Sequence, residues 1–342
     1  MSAVRLLADG SSWEGGGGVS RLHAVRGSRP LFSWRLDSTE RGAEQRGFEI
    51  SIYEPDGSSS SSVLVWASGR HNSSMARLRY PADAPALMPA TTYAVEVSVF
   101  DGRGEARKPA AARFHVPLRD WDGVNWLGSA KHNIYRSTFA TSTGLLRSAV
   151  LYICALGFSR LWLNGAELDS MTLTVSPWTR YSKRVGFSSI EVGHLLQPAG
   201  QNNTLGVELG HGWRARQFLL HNLDGDARMA GTVPRVLRAK LVATYGVGNV
   251  DGTPLPHQRV SPSAVATSML VLSHTGDGSW QAATGPTLED DVYDGGECAG
   301  SLCAALCQGA LGLATSFSSS YADSIMYDPQ ITALPHIAHR GL

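Results

Sequence analysis

The stretch that decides the fold class is Phe158-Ser-Arg-Leu-Trp-Leu-Asn-Gly-Ala-Glu-Leu168. Two short runs with apolar residues, 161–163 and 166–168, flank the dipeptide Asn164-Gly165. Asn-Gly between apolar runs is the strongest short-range hairpin signal, because a type I′ turn needs a positive φ at both central residues. The sequence therefore predicts an antiparallel β-hairpin at this point.

Period-two alternation extends the β prediction in both directions. In Thr91-Thr-Tyr-Ala-Val-Glu-Val-Ser-Val-Phe100 every second residue from Tyr93 to Val99 is apolar, so these residues share one face of a strand. Asp56-Gly57 and Asp101-Gly102 supply turn chemistry between such runs. Only residues 190–196 favour a short helix. The pattern predicts an all-β chain of two consecutive antiparallel sandwiches.

Composition and charge exclude several classes of protein. The 342 residues carry 30 Lys and Arg against 29 Asp and Glu, a net charge of +1. No basic field for nucleic acid or for an anionic membrane follows from that balance. There is no apolar run of about 18 residues for a membrane span, and the first residues lack the core of a signal peptide. We therefore expect a cytoplasmic protein without nucleic-acid or membrane partners.

Shifts in composition predict five segments. They are a flexible leader at 1–25, a first sandwich at 26–117, a linker at 118–133, a second sandwich at 134–297 and an irregular tail at 298–342. The leader contains Gly15 to Gly18, and the tail is rich in small residues without strand periodicity. The cysteines form no CxxC pair, so reduced thiols are expected in place of a disulfide framework or a zinc site.

Spaced motifs in the second block carry a family resemblance. In chain order they are Ala149-Val-Leu-Tyr-Ile-Cys-Ala-Leu-Gly-Phe158, Leu161-Trp-Leu-Asn-Gly165, Ser176-Pro-Trp-Thr-Arg-Tyr181 and Asn202-Asn-Thr-Leu-Gly-Val-Glu-Leu-Gly-His-Gly-Trp213. This succession resembles the N-terminal carbohydrate-module-like domain of bacterial-type α-L-rhamnosidases, glycoside hydrolase family 78. The block before it resembles the fibronectin-III-like domain of these enzymes, through Pro30-Leu-Phe-Ser-Trp34 and Trp66-Ala-Ser-Gly69.

The resemblance implies a fibronectin-III-like sandwich followed by a jelly-roll-like sandwich. It also implies a non-catalytic portion of a rhamnosidase-like enzyme, carbohydrate-facing or structural, because the acidic motif of the family's helical catalytic barrel occurs nowhere in the chain. The implied partners are a rhamnose-containing carbohydrate and a catalytic domain missing from this chain. Two alternatives stay open: a fragment of an active α-L-rhamnosidase that hydrolyses terminal α-L-rhamnose, and a β-sandwich protein-interaction module.

Sugar binding requires an aromatic face for the apolar side of the ring and polar groups that fix the hydroxyls. Trp178, Arg180, Tyr181 and Trp213 are the carbohydrate-binding candidates, since they fall on loops between strands. The alternative is that Trp178 and Trp213 fill the sandwich core. No catalytic residue is expected.

Acidic residues in three parts of the chain have a structural interpretation. Asn222, Asp224 and Asp226 have the two-residue spacing of calcium ligands, and some rhamnose-binding modules resembling this domain use calcium. Calcium is therefore a candidate cofactor, with an Asx-rich turn as the alternative. The run Glu289-Asp-Asp291, with Asp294 and Glu297, is expected in a solvated turn. Glu208, within an apolar strand, is expected to pair with an arginine.

Overall fold

In this computed structural model the structure describes residues 2–8, 22, 24–25, 27–37, 41–55, 62–102, 109–129, 131–168, 185–211, 235–246, 267–275, 277–285, 287–291 and 295–298. Nearly all of their regular structure is β-strand, and the helical element among them is a 3-10 turn at Gly193–Leu195. The expected all-β architecture is therefore confirmed. No helix in these ranges has the length and apolar character needed to cross a membrane.

The first sandwich consists of a three-stranded sheet facing a four-stranded sheet. Its strands in chain order are β1 Ser2–Ala8, β2 Leu31–Asp37, β3 Gly47–Pro55, β4 Ser62–Ala67, β5 Arg77–Arg79, β6 Thr91–Phe100 and β7 Ala110–Val116. The sheet orders are β1-β2-β5 and β4-β3-β6-β7, with all pairs antiparallel. Fibronectin type III and immunoglobulin domains share this sandwich architecture.

Alternating residues of both sheets fill the first core. Tyr93, Val95, Val97 and Val99 all point inward and are at most 1% exposed, as the period-two pattern predicted. From the opposite sheet Phe32 packs against Phe114, with 5.3 Å between ring centroids. The apolar face of each strand therefore specifies which side of the sheet becomes the core.

The expected flexible leader is wrong for residues 2–8. These residues form β1, which pairs with β2 from Ser2 opposite Asp37 to Ala8 opposite Phe32. Leu6 and Ala8 are buried in the first core. The partner strand and core supply the burial that the local sequence does not reveal, and Leu22, Ala24 and Val25 are likewise held by backbone contacts.

The second sandwich contains two sheets of five strands each. Its strands are β8 Leu127–Ser129, β9 Ile134–Ala140, β10 Leu145–Ala155, β11 Ser159–Leu163, β12 Ala166–Leu168, β13 Ser188–Glu191, β14 Asn202–Leu209, β15 Arg235–Gly246, β16 Thr267–His274 and β17 Trp280–Ala283. One sheet has the order β13-β10-β15-β16, with β8 also paired to β15; the other has the order β12-β11-β14-β9-β17. Two further strands, β18 Thr287–Asp291 and β19 Gly295–Cys298, form a separate antiparallel hairpin.

The Asn164-Gly165 turn has the predicted geometry. Its φ angles are 53° and 84°, and it joins β11 to β12. The Asn164 amide does more than tolerate a positive φ: Nδ2 donates to the Leu195 carbonyl at 2.7 Å and to Asn203 Oδ1 at 2.8 Å. Its Oδ1 accepts from the Thr204 backbone N–H at 2.9 Å. The turn is therefore tied to the neighbouring strand as well as to its own hairpin.

The short helix expected at 190–196 is not formed. Residues up to Glu191 belong to β13, which pairs with β10, and only Gly193–Leu195 make a 3-10 turn. Ile190 and Val192 are fully buried in the second core. Pairing with β10 satisfies the backbone of this segment and overrides a weak local helix preference.

A shared apolar cluster joins the two sandwiches. Val150, Tyr152 and Val242 lie on the outer face of the β10–β15 sheet, and Ala90 of the first sandwich packs against them. Trp121 and Val124, in the expected linker 118–133, complete the cluster and are 4% and 3% exposed. The connecting segment is thus packed onto the second sandwich, and its residues Leu127–Ser129 form strand β8. We call this cluster, together with His115, the joint.

His115 connects the two sandwiches by hydrogen bonds at the centre of the joint. Its ring is fully buried, with Nδ1 2.9 Å from the Thr92 hydroxyl and Nε2 2.7 Å from the Tyr152 hydroxyl. A hydroxyl can donate or accept, so the neutral ring is satisfied in either tautomer. Burial lowers the pKa of His115 to about 3, so the ring is uncharged at neutral pH.

Arg238 on β15 holds the connecting segment in place. Its Nε donates to the Val124 carbonyl at 2.9 Å, its Nη2 donates to the Trp121 carbonyl at 3.0 Å, and its guanidinium lies 5.3 Å from the Trp121 ring. The Asn125 N–H donates to the Thr275 carbonyl, and the Thr275 hydroxyl donates to the Asn125 carbonyl. These bonds satisfy polar groups that packing would otherwise bury without partners.

Replacing Asn164 with valine is expected to lower the free energy of unfolding by about 2–4 kcal/mol. A β-branched residue is strained at this φ, and the amide bonds to Leu195, Asn203 and Thr204 are lost. Asn164→Gly is the matched control, because it loses the same bonds without the strain. Urea unfolding of both variants measures the difference. Equal stability of the valine and glycine variants would contradict the assigned strain.

The buried His115 is expected to make stability depend on pH. The unfolded chain binds a proton near pH 6.5 that the folded His115 does not bind until about pH 3. Its contribution is therefore complete above pH 6.5 and decreases by about 1.4 kcal/mol per pH unit on acidification below that value.

Ring-nitrogen NMR of the folded protein tests this directly. The His115 imidazole should stay neutral at pH 5, whereas histidines of the urea-unfolded protein, the control, should be protonated. A His115 ring that becomes charged near pH 6 in the folded state would contradict the described burial.

Candidate functional site

The sequence candidates for sugar and metal binding fall in two segments outside the described residues. Trp178, Arg180 and Tyr181 belong to 169–184, and Trp213, Asn222, Asp224 and Asp226 belong to 212–234. Their assignment as carbohydrate or calcium ligands stays a prediction. What the structure does describe is where the flanking residues lie.

Three of the four flanks lie at one end of the second sandwich. Val185 packs against Leu156 and Val236, and Gly210 donates its N–H to the Phe158 carbonyl at 2.8 Å. Arg235 lies opposite Ser129 where β15 pairs with β8. A Cβ atom at position 157 would overlap the Gly210 carbonyl oxygen, so this close approach requires glycine. We call this end of the sandwich the loop end.

A group of polar side chains occupies the loop end. We define the loop-end cluster as His132, Asn133, Glu208, Thr284 and Thr287. His132 and Asn133 precede β9, Glu208 is near the end of β14, and Thr284 and Thr287 flank the passage from β17 to β18. Antiparallel pairing places the start of β9 beside the end of β14, since Ile134 lies opposite Glu208.

Hydrogen bonds link every member of the cluster to another part of the chain. Asn133 Nδ2 donates to the Thr287 carbonyl at 3.0 Å, and Asn133 Oδ1 accepts from the Gly285 N–H at 2.6 Å. The Thr287 hydroxyl donates to Glu208 Oε1 at 2.7 Å. His132 Nδ1 lies 3.0 Å from the Thr284 hydroxyl, and burial, followed by the Lys131 charge, lowers the pKa of His132.

Among the described residues, the hydrogen-bond partner of Glu208 is a threonine hydroxyl and not the expected arginine. Glu208 is 9% exposed and receives the Thr287 hydroxyl. Arg160 lies opposite Glu208 in the strand register, but its Nε and Nη2 both contact Glu167 Oε1 at 3.0 Å. Its guanidinium also lies 5.1 Å from the Trp162 ring. Attraction to Glu167 and Trp162 therefore directs Arg160 along its own hairpin.

The acidic run lies in a strand and not in the expected turn. Residues 289–291 are part of β18, with Glu289 opposite Glu297, Asp290 opposite Gly296 and Asp291 opposite Gly295. Asp294 falls outside the described residues. Cross-strand pairing of 287–291 with 295–298 determines this placement. Sequence alone shows the charge but not the partner strand.

The loop-end cluster as a whole was missed by sequence reasoning. Asn133 and Thr287 are separated by 154 positions, and no local pattern marks their contact. One signal was present for Glu208, a carboxylate in an otherwise apolar strand, which requires a polar partner when buried. The side chains of the cluster hydrogen-bond backbone N–H and C=O groups and threonine hydroxyls.

Metal and thiol chemistry find no site in the described ranges. No group of three or more His, Cys, Asp or Glu side chains there is placed to hold a metal ion. Cys154 is a free, buried thiol, and burial raises its pKa well above the usual range. The calcium candidates of 212–234 lie outside these ranges.

Comparisons with known proteins give two domain matches. Residues 19–119 match the family described as the Rha78A-like, N-terminal immunoglobulin domain, and residues 144–252 match the alpha-L-rhamnosidase N-terminal domain. An alpha-L-rhamnosidase of Formosa agariphila is 23% identical over 304 residues, covering 80% of this chain and 29% of the relative.

Two solved structures have the same fold. The alpha-L-rhamnosidase from Dictyoglumus thermophilum aligns with a TM-score of 0.60 and 19% identity, over 86% of this chain and 31% of that one. The enzyme from Aspergillus terreus aligns with a TM-score of 0.61 and 21% identity, over the same shares. The chain thus spans less than a third of the length of these relatives.

Proposed function

Because residues 19–119 and 144–252 are N-terminal domains of the α-L-rhamnosidase type, we propose that this chain is the non-catalytic portion of a rhamnosidase-like glycoside hydrolase. The observation that carries the proposal is the order of the two matched domains, immunoglobulin domain first, in a chain whose alignments cover only 29–31% of its relatives' length. In this proposal the chain supports, and presents carbohydrate to, a catalytic domain missing from it.

The chemical requirements of glycoside hydrolysis support the non-catalytic assignment. It needs two carboxyl groups held about 5 Å or 6.5–9.5 Å apart across the scissile bond. The loop-end cluster contributes one carboxylate, Glu208, and that group is buried and bonded to Thr287. The described acidic residues of β18 and β19 lie on a two-stranded hairpin, whereas a catalytic pair needs a rigid, concave site.

The carbohydrate-facing role rests on Trp178, Arg180, Tyr181 and Trp213. Their segments connect to the described structure at the loop end, through Val185 and His211. Binding residues concentrate on loops that a rigid scaffold positions. The proposed ligand is a rhamnose-containing carbohydrate, with calcium at Asn222, Asp224 and Asp226 as the accompanying cation.

We expect the chain to bind L-rhamnose weakly and to show no hydrolysis of an aryl α-L-rhamnoside. Calorimetry measures the binding, and release of the aryl group measures hydrolysis. Trp178→Ala and Trp213→Ala should each lower the affinity at least about tenfold, since an aromatic stacking contact is lost. Met88→Ala is the control, because it removes a side chain 58% exposed on the first sandwich.

The possible results separate the candidate functions. Turnover of the rhamnoside would contradict the non-catalytic proposal. Absence of binding by a folded protein, with and without added calcium, would contradict the carbohydrate-facing role and leave a structural one. Equal affinity of both tryptophan variants and wild type would place the sugar elsewhere.

A further inference from the structure

We propose that Asn133 and Glu208 are positioning residues: they form a polar clamp that fixes the direction in which the chain leaves the second sandwich. The biological purpose rests on the proposed function, in which a further domain is supported by this chain. The clamp itself is inferred from how the hairpin of β18 and β19 is attached at Thr287.

The hairpin has no strand pairing with either sandwich in the described part of the chain. The ladder of the second sandwich ends at Ala283, which lies opposite Ile134, and β18 and β19 form a sheet of their own. An isolated two-stranded hairpin is marginally stable in water. Its placement therefore depends on contacts outside a ladder, and the described residues make such contacts at Thr284, Gly285 and Thr287.

Asn133 uses both ends of its amide to hold this passage. Oδ1 accepts from the Gly285 N–H and Nδ2 donates to the Thr287 carbonyl. Its backbone is fixed at the same time, since its N–H donates to Ala283 and its carbonyl accepts from Leu209. With 1% exposure, the side chain has no freedom to follow a moving hairpin.

Glu208 supplies the second half of the clamp. It lies on β14, between β11 and β9 in the middle of its sheet, so its carboxylate is presented from a rigid strand. A hydroxyl donating to a carboxylate makes a bond about twice as strong as a neutral one. The 2.7 Å contact therefore ties the first residue of β18 to the loop end of the central strand of that sheet.

Close packing limits how the passage can shift. A Cβ atom built at position 285 would lie 2.5 Å from Ile134 Cδ1 and 3.1 Å from Asn133 Oδ1. The backbone of 285 thus lies directly against the start of β9. Asn133, Gly285, Glu208 and Thr287 together determine one direction for β18.

Hydrogen exchange of the full chain, read by mass spectrometry, tests the clamp. Thr287→Val keeps the shape of the side chain and removes its hydroxyl, so amide exchange in 288–298 should increase at least about tenfold. Thr287→Ser is the matched control and should exchange like wild type, because it restores the donor. Glu208→Gln, which keeps an acceptor, should give a smaller increase than Thr287→Val.

Two results would overturn the proposal. One is wild-type exchange of 288–298 in the valine variant. The other is an equal increase across β9, β14 and the hairpin, because it would assign Thr287 to the stability of the whole sandwich. Neither result depends on sugar binding or hydrolysis, so a failure of the proposed function is distinguishable.

Discussion

Tyr152 and its neighbours on β10 are buried between the two sandwiches, and their burial determines how the two domains are arranged. Residues 149–155 of β10 are all buried, because their inner face belongs to the second core and their outer face is covered at the joint. An antiparallel sheet commonly leaves one face to water. Here the first sandwich and the segment around Trp121 cover that face, so the two domains are held in one orientation.

Because the outer face of β10 is buried, the polar groups that lie there need hydrogen-bond partners. His115 satisfies the Tyr152 hydroxyl, and Arg238 satisfies the carbonyls of the segment that crosses the sheet. Burial also raises the pKa of Glu191. Hydrogen bonds from the Gly193 and Ala149 backbone N–H groups, and the charge of Arg113 on the first sandwich, act in the opposite direction and lower it. With the joint fixed, the loop end and the clamp at Thr287 keep one orientation relative to the first sandwich. A non-catalytic portion that positions a ligand or a further domain requires this rigidity.

Local features of the fold could be predicted from sequence, and long-range ones could not. The Asn164-Gly165 turn and the inward face of Tyr93 to Val99 depend on neighbouring residues, so their signals are local. Residues 2–8 become a strand only through β2, and residues 188–191 only through β10. The contact of Asn133 with Thr287 joins the start of β9 to the start of β18, which no spacing reveals. Glu208 was noticed as a charge in an apolar strand, yet its partner could not be inferred.

Differential scanning calorimetry of the full chain measures whether the two sandwiches unfold together. Two domains joined by an exposed linker unfold as separate transitions, whereas domains that share a buried cluster unfold together. With the joint buried as described, we expect one transition whose calorimetric and van't Hoff enthalpies agree. Two resolved transitions, or a calorimetric enthalpy about twice the van't Hoff value, would show that the sandwiches unfold independently and are not held together by the joint.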